Sequence, residues 1–182
     1  MLKYSYIFIF IFLTTNTSAN NKENIINNLK DTQNINFKFE QNINKKIERG
    51  NCIVKYPKKI FCEYKGNNNK ILVSNGKSLV IKTRVSYYRY PLRKTPLNFI
   101  LDKDYLINKI YNLKERIIDS SLINYTIKEN DSEINIFFDD KTFNLIGWQI
   151  KDMYQNLNIT FLSSIQKNQI INKNLFKLPS QN

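Results

Sequence analysis

The segment Ile35-Asn36-Phe37-Lys38-Phe39-Glu40-Gln41 alternates apolar and polar residues as far as Glu40. Side chains of a strand point to opposite faces in turn, so this pattern reads as a strand with one buried and one wet face. The same alternation recurs through most of the chain, and turn signals separate the runs. Asn51 to Tyr56 and Ile60 to Tyr64 flank Pro57-Lys58-Lys59, a Pro-initiated turn. Lys70 to Ser74 and Lys77 to Thr83 flank Asn75-Gly76. Both residues of such a two-residue turn need positive φ, which makes Asn-Gly a strong hairpin signal. Val85 to Tyr90 extends this region. Ser132 to Phe138 and Phe143 to Lys151 flank Asp139-Asp140-Lys141-Thr142, a further hairpin, and Leu157 to Ser163 and a short strand near Leu175-Phe176 close the series.

Helical spacing appears in two places. Ile25, Ile26 and Leu29 share one face of a helix predicted over Lys22 to Asp31. In the middle, Thr95-Pro96 opens Leu97-Asn98-Phe99-Ile100-Leu101 with Pro at a first-turn position. Asp102 then caps a helix carrying Tyr105, Leu106, Ile110 and Leu113. The predicted class is α+β and mainly antiparallel β. The sheet is strongly curved, an unclosed barrel, and short helices cover one opening.

The N-terminus has the layout of a secretory signal peptide. Lys3 supplies the positive charge, Ile7 to Leu13 the apolar run, and Thr17-Ser18-Ala19 the small residues of a cleavage site. The run is too short to span a bilayer, so residues 1–19 are expected to be removed and 20–182 to form a single domain. No cysteine follows Ala19, so no lipid attachment is expected there.

Charge and chemistry exclude several classes. The net charge of +13 suggests nucleic acid at first sight. The lysines are scattered singly, however, and an exported protein meets little nucleic acid. A basic surface suits anionic membranes or acidic partners. The chain has no histidine, which removes the commonest general base and metal ligand, and no cofactor or metal is expected. Asp139 and Asp140 lie in a turn that favours Asp for backbone reasons. Asp102 and Asp104 are explained by helix capping, and Ser74 and Ser78 have no base beside them. The two cysteines, Cys52 and Cys62, are too few for a structural zinc site, and an oxidising compartment predicts a disulfide. They lie on the two arms of one hairpin, an even number of residues apart. A turn at Pro57-Lys58-Lys59 makes them diagonal neighbours instead of direct partners.

Taken in order, several stretches resemble the LolA family of lipoprotein carriers. They are the first helix followed by Phe39-Glu40-Gln41, then Gly50 through Pro57 and Ile60 to Tyr64, and then Ile71 through Asn75-Gly76-Lys77 to Leu79. Thr95-Pro96-Leu97 and the close Phe176-Lys177-Leu178-Pro179 complete the series. The resemblance implies a half-barrel with short helices forming a lid over an apolar cavity that holds the acyl chains of lipoproteins. It implies receipt from an inner-membrane ABC-type releasing complex, delivery to an outer-membrane acceptor of LolB type, and a periplasmic, monomeric, non-enzymatic protein. The missing cysteine after Ala19 favours the soluble carrier over the acceptor. In the family an arginine commonly precedes the hairpin proline and hydrogen-bonds to the lid. Tyr56 stands there in this chain, so lid contact is expected from Tyr56 or from apolar packing. Two other readings remain: a lipid-binding or envelope-stress sensor module on the same fold, and a secreted hydrolase.

The strand residues Phe37, Phe39, Ile53, Ile60 and Trp148, with Leu29 from the first helix and Leu97 and Ile100 from the lid, are expected to line the apolar pocket. An ordinary packed core accounts for the same pattern, and the sequence leaves both open.

Overall fold

The computed structural model describes residues 21–66, 68–129, 132–151 and 155–181. The predicted signal peptide, residues 1–19, lies outside them. Eleven strands form one open antiparallel sheet. They are β1 Asn34–Ile43, β2 Lys46–Lys55, β3 Lys59–Tyr64, β4 Ile71–Asn75, β5 Ser78–Lys82, β6 Tyr87–Pro91, β7 Arg116–Ile118, β8 Leu122–Glu129, β9 Ser132–Asp139, β10 Leu145–Lys151 and β11 Leu157–Lys167. The spatial order is β6-β5-β4-β3-β2-β1-β11-β10-β9-β8-β7, so β6 and β7 are edges and the barrel does not close. Three helices accompany it: α1 Asn21–Asp31, α2 Leu97–Ile100 and α3 Lys103–Asn112.

The helices are held to each other by their ends. The Lys103 ammonium at the start of α3 donates to the Lys30 and Thr32 carbonyls at the end of α1, each at 3.0 Å. The Lys22 ammonium at the start of α1 donates to the Leu113 carbonyl beyond α3 at 2.8 Å. Each cation satisfies carbonyls that the neighbouring helix cannot bond itself. Asp102 caps α3, accepting from the Tyr105 N–H at 3.1 Å. Ile25, Ile26 and Leu29 of α1 and Leu106 and Ile110 of α3 are buried and join the core under the helices.

Three differences from the sequence reading have local causes. β2 begins at Lys46, five residues before the expected Asn51, because Asn44 and Lys45 both adopt positive φ and close a tight hairpin with β1. No Asn-Gly marks that turn. β7 and β8 fall in a stretch assigned no element. In β8, Ile123, Asn124 and Tyr125 are buried in succession, which erases the period-two signal. The expected last strand is a 3-10 turn, Lys173–Phe176, lying against β3 and β4. Phe176, Val73 and Val80 are buried, so this C-terminal segment covers part of the convex face.

Candidate functional site: an apolar cavity under the helices

Inward-facing residues of eight strands line one hollow: Phe37 and Phe39 of β1, Cys52 of β2, Ile60 of β3, Leu72 of β4, Leu79 of β5, Tyr90 of β6, Trp148 of β10 and Thr160 of β11. Residues of both an edge strand and the centre of the sheet can surround one cavity because the sheet curls. Thr95, Pro96 and Leu97 close it from the lid side. The cavity encloses about 190 Å³. Aromatic rings shape its wall: Phe37 and Trp148 meet edge to face at 6.4 Å between centroids, and Phe39 and Tyr64 at 4.9 Å. Gly50 makes room for Phe39. A Cβ there would stand 2.6 Å from the Phe39 ring, and it would also run into the Glu63 carbonyl oxygen.

Five of the eight residues expected at the pocket, Phe37, Phe39, Ile60, Leu97 and Trp148, meet at this cavity. Three do not. Ile53 is on the convex side, because its neighbours Cys52 and Val54 are the buried ones and the pleat alternates. Leu29 packs between α1 and the sheet, near Ile35, Tyr56 and Leu145. Ile100 is buried in the core beneath the lid. Leu72, Leu79, Ile81 and Tyr90 of β4 to β6 were not foreseen at the cavity. The signal for Leu72 was pairing, since it stands opposite Cys62. A bulge between Leu145 and Gly147 sets Leu145 with Trp148 and Ile150 in the core, where simple alternation puts Ile146 on that face.

Cys52 and Cys62 are joined by a disulfide, with Cα atoms 4.1 Å apart. The hairpin turn is Tyr56-Pro57-Lys58, one residue earlier than the sequence suggested, and Lys55 pairs with Lys59. That register makes the cysteines direct cross-strand partners, and the bond forms part of the cavity wall.

The turn that carries the disulfide register also touches the lid. The Lys58 N–H donates to the Leu101 carbonyl at 2.6 Å, and its ammonium pairs with Asp102 at 3.2 Å. Lys58 therefore makes the polar contact expected of Tyr56. Tyr56 is buried in the core, and burial pushes its hydroxyl up from the ordinary tyrosine range.

The far end of the cavity is polar. Gln41, Tyr64, Lys70, Asn158 and Thr160 line it. Burial raises the Glu48 carboxyl at this rim, but hydrogen bonds and charge from Lys70 and Lys46 outweigh it and hold the group below its usual range. The Lys70 ammonium lies 2.6 Å from Glu48 and 4.1 Å from the centre of the Tyr64 ring. Burial, then the Glu48 charge, push the Tyr64 hydroxyl up, so it stays a donor at neutral pH. At the β9–β10 turn, Asp139 accepts from the Thr142 N–H at 2.7 Å and its hydroxyl at 2.6 Å, the backbone role its position suggested. Among the described residues, no helix is long and apolar enough to cross a membrane.

A curled open sheet with a helical lid over a lined apolar cavity defines a binding protein of hydrophobic ligands. The family model of the outer membrane lipoprotein carrier protein LolA matches residues 30–179, and the chain belongs to the LolA family. Its fold is similar to a LolA superfamily protein from Nitrosomonas europaea (9% identity, 86% of this chain and 97% of that one, TM-score 0.43). It is similar to the lipoprotein LppX of Mycobacterium tuberculosis (12% identity, 84% and 95%, TM-score 0.42). A third similar structure is MucB (8% identity, 90% and 65%, TM-score 0.39). Comparison with curated protein sequences found no match.

Proposed function

We propose that this chain is a periplasmic carrier that shields the acyl chains of lipoproteins in transit between membranes. On this reading it is exported by cleavage after Ala19. It takes cargo from an inner-membrane ABC-type releasing complex and gives it to an outer-membrane acceptor of LolB type. The observation that carries the proposal is the apolar cavity bounded by Phe37, Ile60, Leu79, Trp148 and Leu97, in a chain of the LolA family.

The energetics call for such a device. Exposing an acyl chain of about 15 methylenes to water costs roughly 12 kcal/mol, at about 0.8 kcal/mol each. A carrier supplies a dry hollow and needs no reacting group. Size sets a further condition. An apolar cavity of about 150 Å³ accepts one benzene, so about 190 Å³ holds a segment of one chain, not several whole chains. Loading therefore requires the lid to move off the sheet, and the contacts of Lys58 with Leu101 and Asp102 are the ones that must give.

The test is lipoprotein release from spheroplasts. The purified mature protein should draw lipoproteins into the soluble fraction as one-to-one complexes, and a Leu79→Glu variant that remains folded at the assay temperature should not. Binding of free acyl chains without any release of lipoproteins would instead support a lipid-binding sensor module.

A further inference from the structure

The polar end of the cavity is built by the inner faces of adjacent strands. Gln41 of β1 pairs with Thr160 of β11, and Ile43 with Asn158. Across β10, Trp148 stands opposite Thr160 and Ile150 opposite Asn158. The side chains form one network. The Gln41 amide donates to the Asn158 carbonyl oxygen at 3.0 Å and to the Thr160 hydroxyl at 3.1 Å. The Thr160 hydroxyl donates to the same Asn158 oxygen at 3.1 Å. The Tyr64 hydroxyl donates to the Gln41 carbonyl at 3.4 Å.

This network has more donors than acceptors. Both Gln41 amide hydrogens and both hydroxyl hydrogens are used within it, while the two hydrogens of Asn158 Nδ2 have no partner among the described residues. Turning both amides over together moves the surplus to Gln41 and does not remove it. Asn158 is only 8% exposed and Thr160 2%. Among the described residues no fully buried side-chain nitrogen or oxygen lacks a partner, so Asn158 Nδ2 is reached from the cavity it lines, where a ligand carbonyl can take the place of water as its acceptor. The seat also lies at the opposite end of β1 from α1, whose Leu29 packs near Ile35. The helices thus cover the apolar end and leave the polar end towards the outside. Lys70, the cation at the edge, is already paired with Glu48, so the seat calls for a neutral acceptor.

We propose that Asn158, positioned by Gln41, Thr160 and Tyr64, is a donor site for the neutral carbonyl of an acyl ester or amide, with the hydrocarbon tail running inward between Phe37, Ile60 and Trp148. This rests on the acyl-binding reading above and adds an orientation and a selectivity to it. The carbonyl sits where the chain enters, and ligands lacking it bind less well.

A matched pair of ligands tests it: 1-lauroylglycerol and 1-O-dodecylglycerol, which share a tail length and differ in having an ester carbonyl or an ether methylene. Each is titrated against a bound fluorescent fatty-acid probe. The wild-type protein should favour the ester by about tenfold, the worth of one hydrogen bond made on the wall of an apolar cavity. In Asn158→Leu the preference should vanish while the ether binds at least as well as before. Asn158→Ser serves the same purpose if the leucine variant does not fold. Equal binding of ester and ether by the wild-type protein overturns the carbonyl seat and leaves acyl binding standing. Failure of the fatty-acid probe itself to bind overturns both.

Discussion

Ile60→Glu separates a ligand cavity from a packed core at one position. Ile60 is 2% exposed and stands between Val54 and Ser74 on the cavity wall. Losing the buried isoleucine costs about 1.5–3 kcal/mol of transfer free energy. In a filled core the new carboxylate has no water and adds several kcal/mol more, enough to unfold a domain of ordinary stability. Here the side chain points into a cavity of about 190 Å³, room for several waters. The total should stay near 3 kcal/mol, and the melting temperature should fall by roughly 10 °C for a chain of this size. The penalty has a pH signature. Burial raises the folded-state pKa of the new carboxyl above the unfolded value of about 4.3. The folded state therefore binds the extra proton, and the deficit against wild type should shrink as pH falls towards about 4.3. Circular dichroism melts at several pH values and fluorescent fatty-acid titration give both readouts. The expected result is a folded protein that no longer takes up acyl chains. A variant unfolded at 25 °C would refute the cavity, and so would a folded variant with wild-type binding.

Reducing the Cys52–Cys62 bond, which closes a loop of sequence separation 10, should cost about 3 kcal/mol on the chain-entropy model, read as a lower melting temperature in dithiothreitol; no change would show that the bond does not form in solution. Gly50→Ala places a Cβ against the Phe39 ring and the Glu63 carbonyl, and overpacking of this kind should cost about 1–3 kcal/mol in denaturant melts; a neutral result would mean that β2 and β3 separate easily there. The Glu48 carboxyl is held below its usual range in the folded state, so its contribution is present above the unfolded pKa and lost as pH falls through the folded one. Glu48→Gln should accordingly remove stability at neutral pH and lose less on acidification than wild type, and parallel acid-denaturation curves would contradict that.

Much of this architecture was legible because strands with one wet face announce themselves. Ile35 to Glu40 alternates cleanly and lies within β1 of the open sheet. Asn75-Gly76 stands between β4 and β5, and Asp102 caps α3. What hid had a physical reason. β8 is buried on both faces, so its pattern lost the period of two. The β1–β2 turn uses Asn44-Lys45, where Asn44 suits positive φ but Lys45 stands in the place that a glycine usually marks. At the cavity, Ile53 was misplaced because a run of apolar residues, Cys52-Ile53-Val54, does not say which of its members faces inward; the register with β3 decides. The Lys58 contact with the lid was invisible, since it depends on a turn and a helix end 44 residues apart in the chain meeting in space. Gln41, Asn158 and Thr160 read in sequence as ordinary polar strand positions, and only their pairing across β1 and β11 brings them together inside.

The central claim is that acyl chains enter this cavity, and the protein carries its own reporter. Its one tryptophan, Trp148, stands on the cavity wall beside Phe37. Titration with a diacylated lipopeptide brominated along its acyl chains should quench Trp148 fluorescence saturably, while the unbrominated lipopeptide, binding equally well, should not. Saturable binding of the brominated lipopeptide without quenching would place the acyl chains elsewhere and contradict the account.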